Sequence, residues 1–205
     1  IPDKWGKRPS DRTIGELLQA GVIALDKPSG PTSHQATAWV KGAIHMDKVG
    51  HGGTLDPYVS GVLPICTGKA VRLTDIVLSS DKEYICLMRL HADRSEKKIR
   101  EVMDRFRGKI YQLPPVRSAV KRQLRIRTIK ELEILDIRGR DVLFRISCDA
   151  GTYVRTLCID IGEMLLCGAS MTELRRSRSG KMTEKNAATL QDLTDASVSY
   201  THLTL

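Results

Sequence analysis

Apolar residues return along this chain at two spacings, every third or fourth position in some stretches and every second in others, so helices and strands are both predicted. Ile99, Val102, Met103 and Phe106 stand at i, i+3, i+4 and i+7, the stripe of an amphipathic helix over 95–107 that Gly108 stops. Ile14, Leu17 and Leu18 share one face of a shorter helix over 11–20. Thr32 or Ser33 is placed to cap a helix running through Ala43, with Ala36, Val40 and Ala43 inward. Val154, Leu157, Cys158, Ile161 and Leu165 form a further stripe, which leaves Tyr153 and Arg155 in the first turn, off the core face. Strict alternation of Val142, Phe144, Ile146 and Cys148 predicts a strand, paired with 132–137 as a hairpin around 138–141. Residues 81–91 carry apolar side chains on both faces, as a central strand does, with Tyr84 near its start, where a side chain can face a cleft. A short apolar strand over 21–26 leads into the turn-rich KPSGPTSH of 27–34. No repeat or linker interrupts the pattern, which predicts one α/β unit of the α+β kind, with antiparallel strands and interspersed helices.

One stretch fits neither period. Residues 50–69, GHGGTLDPYVSGVLPICTGK, hold a single acid, Asp56, among glycines and small residues. Gly50, Gly52 and Gly53 allow backbone conformations closed to residues with a Cβ, and Pro57 biases Asp56 toward extended geometry. A carboxylate is thereby held on a stiff turn just ahead of the apolar Val62, Leu63 and Ile65. Two readings stand: an Asp that caps a turn through its own backbone, and a loop acid presented for chemistry by a rigid scaffold.

Composition narrows the partners. Lys plus Arg number 33 against 24 Asp plus Glu, a formal charge of +9 with a pI near 9.5, which points to a polyanion, either nucleic acid or an anionic membrane surface. Aromatic residues are only 4% of the chain, too few for a broad base-stacking platform, so single aromatics gain weight. The five cysteines are scattered with no C-x-x-C, against a disulfide framework or a cysteine zinc site and in keeping with a reducing, intracellular compartment. No apolar run is long enough to span a bilayer and no signal peptide is visible. The densest basic segment is QLPPVRSAVKRQLRIRT (112–128), where Arg117, Lys121, Arg122, Arg125 and Arg127 follow two prolines; phosphate-backbone contact is its functional reading and a solvated strand pair its plain one. LRRSRSGKMTE (174–184) is a second basic stretch. Lys27, after a strand and beside glycine and proline, suits a phosphate contact or plain solvation equally. The CTGK of 66–69 resembles the end of a phosphate loop but lacks both the earlier glycine and the following Ser or Thr, so that reading is rejected.

Five motifs carry a resemblance. GHGGTLDP, KEYICLMRLHAD, QLPPVRSAVKRQLRIR, AGTYVRTL and LRRSRSG resemble, in order and spacing, the TruB-type pseudouridine synthases, and within them the dyskerin-type catalytic subunit of archaeal box H/ACA particles. The likeness runs from about residue 5 to 196, and the long basic segment after PPVRSA tips it toward the RNA-guided branch. It implies a pseudouridine synthase fold: a mixed, mostly antiparallel sheet with flanking helices and a central RNA-binding cleft. It implies isomerisation of uridine to pseudouridine in RNA, without metal or organic cofactor. By motif, Asp56 is the catalytic acid, Tyr84 packs on the flipped base, and Arg155 pairs with Asp56. Tyr153 shapes the pocket, Leu174 lines it, and His51 helps open the RNA. The wider RNA-binding set adds Lys27, Lys82, Arg117, Lys121, Arg122 and Arg125. Ser170 and Ile159 stand where the family often has histidines. Implied partners are guide and substrate RNA and box H/ACA protein subunits, including a small zinc-containing one, with no membrane; the implied location is cytoplasmic. The alternatives are a stand-alone tRNA enzyme acting on the T-loop uridine and a non-catalytic RNA-binding scaffold, which has no need of the acid.

The domain expectation is an N-terminal extension over 1–20, a catalytic domain over 21–196, and a non-native tail over 197–205. Val198 to Leu205 back-translates readily into the transposon-end adapter used in DNA sequencing libraries. The start at Ile1 reads as a fragment, and a C-terminal PUA domain is expected beyond the last residue.

Overall fold

The computed structural model describes residues 7–114 and 123–203. Helix α1 (Ile14–Leu18) is followed by β1 (Val22–Lys27), α2 (Ser33–Ala43), β2 (Val49–His51), β3 (Ser60–Thr67) and α3 (Thr74–Ser79). Next come β4 (Lys82–Leu90), α4 (Glu96–Asp104), β5 (Gly108–Gln112), β6 (Arg125–Arg138) and β7 (Asp141–Cys148). Helix α5 (Val154–Met164), β8 (Ala169–Ser179), β9 (Met182–Thr183) and α6 (Leu190–Leu203) complete the order. The chain divides into two compact units. One is Ile1–Pro57, Gly61–Leu78 and Met182–Leu205; the other is Tyr58–Ser60 and Ser79–Lys181.

In the first unit β3 is the spine. It pairs antiparallel with β1, from Val22 opposite Cys66 to Lys27 opposite Gly61, and with β2, from Val49 opposite Thr67 to His51 opposite Ile65. Val62, Leu63, Ile65 and Cys66 are wholly buried, because β3 is covered on both faces. Thr32 caps α2 in a reciprocal box with Gln35, and the helix buries Ala36 and Val40 while Ala43 is half-buried. Helix α6 contacts α2 and β1. The segment leading to α6 is pinned by Ala188, whose N–H donates to Ala24 and whose carbonyl accepts from Asp26. The shared face expected of Ile14, Leu17 and Leu18 buries none of them; α1 is held instead by a Thr13–Glu16 capping box.

In the second unit β8, β4, β7, β6 and β5 lie side by side in that order, every ladder antiparallel. The expected hairpin is present as β6 and β7, but β6 begins at Arg125 and also pairs with β5. Val142, Phe144, Ile146 and Cys148 are all fully buried on the expected face. Ser95 caps α4, which buries Ile99, Val102 and Met103. The second basic stretch is largely the strand β8, not a free surface segment. Helix α5 lies on β8 and β4, and its place is set by two contacts. Gly162 sits against the backbone of Gly168 and Ala169, opposite Leu90, and Cys158 Sγ lies 3.7 Å from Cys86 Sγ. Going back along α5 toward its start, the contact thus moves from the Leu90 end of β4 to Cys86.

Candidate active site

The loop bearing Asp56 is braced from below on both sides of the acid. Ser33, 1% exposed, donates its hydroxyl to the Leu55 carbonyl at 3.0 Å and accepts from the Leu55 N–H at 2.8 Å. Lys27, 0% exposed, donates its ammonium to the carbonyls of Pro28 at 2.7 Å and Pro57 at 3.1 Å. The Gly30 N–H adds a bond to Pro57 O at 2.8 Å. Residues on either side of Asp56 are thus held by buried groups of the KPSGPTSH segment, while Asp56 itself is exposed. Gly53 has φ +128°, in the region that favours glycine. A Cβ on Gly52 would meet Val77 at 2.4 Å, so only glycine lets the loop close on α3. On β2, His51 meets the exposed ring of His34 edge-on, centroids 5.0 Å apart.

Lys27 and Lys82 correct the RNA-binding set. Both residues are buried, at 0% and 3% exposure, and each ammonium donates to backbone carbonyl oxygen, that of Lys82 also to a hydroxyl, where a surface phosphate contact needs an exposed cation. Lys82 donates to the carbonyl and hydroxyl of Ser80 at 2.6 and 2.9 Å. Burial lowers it to about 8, and the cation of Arg176 pushes in the same direction. Arg117, Lys121 and Arg122 lie outside the described residues. Arg125 begins β6, half-exposed, opposite Gln112.

On the buried face of β4, Tyr84 is 9% exposed, more enclosed than its expected position at a cleft. Its cross-strand partner on β8 is Arg176, 1% exposed and hydrogen-bonded to the phenol. Burial raises the Tyr84 hydroxyl above the ordinary tyrosine value and lowers Arg176, each partly offset by the other. The phenol is therefore neutral at physiological pH. Leu174 stands opposite Cys86, half-buried. Reasoning from residue types missed Arg176 because a guanidinium inside a basic run looks like one more surface cation. Only its pairing with Tyr84 across the β4–β8 ladder puts this one inside.

Tyr153 and Arg155 open α5 as the stripe predicts, Arg155 exposed and Tyr153 half-buried. The turn before them is tied to the β5–β6 hairpin. Asp149 and Thr128 exchange two bonds, Asp149 N–H to the Thr128 carbonyl at 3.0 Å and Thr128 N–H to the Asp149 carboxylate at 2.9 Å. The buried Gln112 reaches Tyr153. All five cysteines are free thiols. Among the described residues no cluster of three or more His, Cys, Asp or Glu is arranged to hold a metal ion, and no helix is long and apolar enough to cross a membrane.

This fold, with an exposed acid on a braced glycine loop, defines a class. Residues 41–154 match the TruB family pseudouridylate synthase (N terminal domain), residues 155–203 the tRNA pseudouridylate synthase B C-terminal domain, and residues 1–37 the DKCLD (NUC011) domain. The chain belongs to the TruB family of pseudouridylate synthases. Over 195 residues it is 55% identical to a probable tRNA pseudouridine synthase B of Methanothermobacter thermautotrophicus, covering 95% of this chain and 60% of that protein. Its counterpart in Methanocaldococcus jannaschii is 54% identical over 194 residues, with 95% and 58% covered. The chain thus spans less than two thirds of the length of these curated relatives. Among solved structures it is similar to a chain of a Cbf5–Nop10–Gar1 complex, with a TM-score of 0.95 and 51% identity over 100% of this chain and 62% of that one. It is also similar to a chain of an H/ACA RNP bound to a substrate RNA containing 2′-deoxyuridine, with a TM-score of 0.91, 46% identity and the same coverage.

Proposed function

We propose that the protein isomerises uridine to pseudouridine within RNA, as the catalytic subunit of a box H/ACA particle whose guide RNA selects the uridine. The observation that carries this reading is the Asp56 loop: an exposed carboxylate whose neighbours on both sides are anchored by buried Ser33 and Lys27. Reaction at a uridine hidden in RNA first costs a few kcal/mol of unstacking. Backbone contacts of a protein with net charge +9 offset that cost. Isomerisation then breaks the bond from ribose to the uracil nitrogen and forms one from ribose to a ring carbon, with no net change in composition. Positive charge develops on the ribose as the first bond breaks, and a fixed carboxylate meets it. Asp56 supplies that carboxylate. Tyr84 offers the aromatic surface for the extruded base, Arg155 the cation that keeps a carboxylate ionised, and Tyr153 and Leu174 the pocket wall. His51 acts in opening the RNA, and Arg117, Lys121, Arg122 and Arg125 contact its backbone.

Support for the guided branch comes from the DKCLD match over residues 1–37 and from the similarity to chains crystallised with Nop10, Gar1 and H/ACA RNA. By that analogy the partners are guide RNA, substrate RNA and small H/ACA proteins, one of them zinc-containing, and the setting is cytoplasmic. A second reading, a stand-alone enzyme for the tRNA T-loop, is favoured by the names of the archaeal relatives. The full-length protein is incubated with T-loop RNA, and with a guide–target pair plus partner proteins, and pseudouridine is mapped. Product that depends on guide supports the first reading and product without guide the second. Asp56→Asn is expected to abolish product while RNA binding stays near normal; retained turnover refutes the assignment of the acid.

A further inference from the structure

The start of α5 lacks the usual local fixing. A helix begins with backbone N–H groups that have no intrahelical partner, and a Ser, Thr, Asp or Asn side chain at the N-cap commonly satisfies one. Here the N-cap is Tyr153, whose side chain makes no capping bond. Arginine two residues on, at Arg155, opposes the helix dipole, so this turn is not one that its own sequence stabilises. Besides the Asp149–Thr128 pair that ties the preceding turn, the Tyr153 backbone is held from 41 residues away. Gln112, the last residue of β5 and 2% exposed, sets its side-chain amide against the Tyr153 backbone. Its Nε2 donates to the Tyr153 carbonyl at 3.0 Å, and its Oε1 accepts from the Tyr153 N–H at 2.9 Å. The side chain thus pairs with one residue as a neighbouring strand would, using one donor and one acceptor together. On the next strand Gln112 faces Arg125 across the β5–β6 ladder.

We propose that Gln112 is a positioning residue for pseudouridine formation: its amide brackets Tyr153 and thereby sets the direction in which Arg155 leaves the first turn of α5. The inference rests on the roles proposed above for Tyr153 and Arg155. Because Gln112 is buried it touches no RNA, so its loss acts on the chemical step rather than on affinity. Because its register partner is Arg125, the same strand pair that meets the RNA backbone holds the turn that serves the reaction.

The test uses the full-length protein in whichever assembly gives turnover with wild type, measuring single-turnover pseudouridine formation and substrate RNA affinity separately. Gln112→Ala is expected to slow the reaction about tenfold or more, with the Kd for RNA within about twofold, since misplacement by about 1 Å costs up to about a hundredfold. Gln112→Glu retains the volume and the acceptor but, ionised, loses the donor. Burial raises a carboxyl pKa, so at about pH 6 the protonated acid regains donor and acceptor together. Its rate relative to wild type at the same pH is expected to recover there and to fall at about pH 8.5. A merely structural residue gives no such recovery. Wild-type rates for both variants, a loss that follows RNA affinity, or a Gln112→Glu deficit independent of pH overturns the inference. Should Gln112→Ala not fold, the pH ratio of Gln112→Glu decides alone. Asp56→Asn, run in parallel, separates the two layers: an active Asp56→Asn sinks the functional reading, whereas a dead one beside unimpaired Gln112 variants sinks only the role of Gln112.

Discussion

Lys27→Met replaces a buried ammonium by a side chain of similar volume that donates nothing. The hydrogen bonds lost include those to Pro28 O at 2.7 Å and Pro57 O at 3.1 Å. Bonds from a charged donor contribute about 1.5–3 kcal/mol each. The Pro57 carbonyl retains the Gly30 N–H at 2.8 Å, so its loss sits at the low end, while the Pro28 carbonyl loses a shorter, charged donor. Methionine returns part of the total, because the cost of desolvating the ammonium disappears. The net expectation is a destabilisation of about 2 kcal/mol, or a Tm lower by roughly 4–8 °C in a chain of this size. The effect on rate is expected to be larger than that on stability. Pro57 is one of the braced residues next to Asp56, and a shift of about 1 Å in a reacting group costs up to about a hundredfold. Thermal unfolding, single-turnover kinetics and RNA binding across a salt series separate the possibilities. A variant of unaltered Tm and rate that binds RNA more weakly, with a smaller salt slope, would show that Lys27 meets phosphate and that the bracing argument is wrong.

Gly162→Ala sets two physical effects against each other. Helix propensity alone favours alanine by about 1 kcal/mol, but its Cβ would lie 2.1 Å from the Ala169 nitrogen and 2.4 Å from the Gly168 carbonyl carbon. Overpacking against backbone costs about 1–3 kcal/mol or more, so a net loss of about 2 kcal/mol is expected in equilibrium unfolding, and a more stable protein refutes the packing of α5 on β8. Burial holds folded Lys82 near 8 against an ordinary 10.5; between those values the unfolded chain binds the proton that the folded one has released, so Lys82 makes stability rise with pH. The stability of wild type minus that of Lys82→Met is expected to grow from about pH 8 to pH 10.5, and a flat difference shows that the ammonium is solvated. Removing the charges of Arg122 and Arg125 together is expected to weaken RNA binding and lower the salt slope by up to about two; an unchanged slope places the RNA contact on another segment.

Periodicity was enough for the elements whose faces differ most. Ile99, Val102 and Met103 marked α4, which ends at Asp104, short of the expected 107 and of Phe106; the alternation of Val142 through Cys148 marked β7, and the two-faced apolar run marked β4 as an inner strand. Each reports burial directly through its spacing. Short motifs of special backbone chemistry were legible as well, since the glycines before Asp56 and the proline after it constrain the chain locally, whatever the fold. Polar residues inside were not legible. Lys27, Lys82 and Arg176 read as surface cations because charge type says nothing about which side of a strand faces inward, and Gln112 carried no signal at all. Helix α1 failed in the opposite sense: among the described residues nothing buries Ile14 or Leu17, and Leu18 is only half-buried. The most regular helices and strands, and the loop that carries the acid, follow from local sequence, because they depend on neighbours within a few positions. That Lys27 and Ser33 brace the loop of Asp56 and that Gln112 holds Tyr153 emerges only from the folded chain, because the desolvated partner of a buried polar group is set by strand pairing across tens of residues, which no local spacing records.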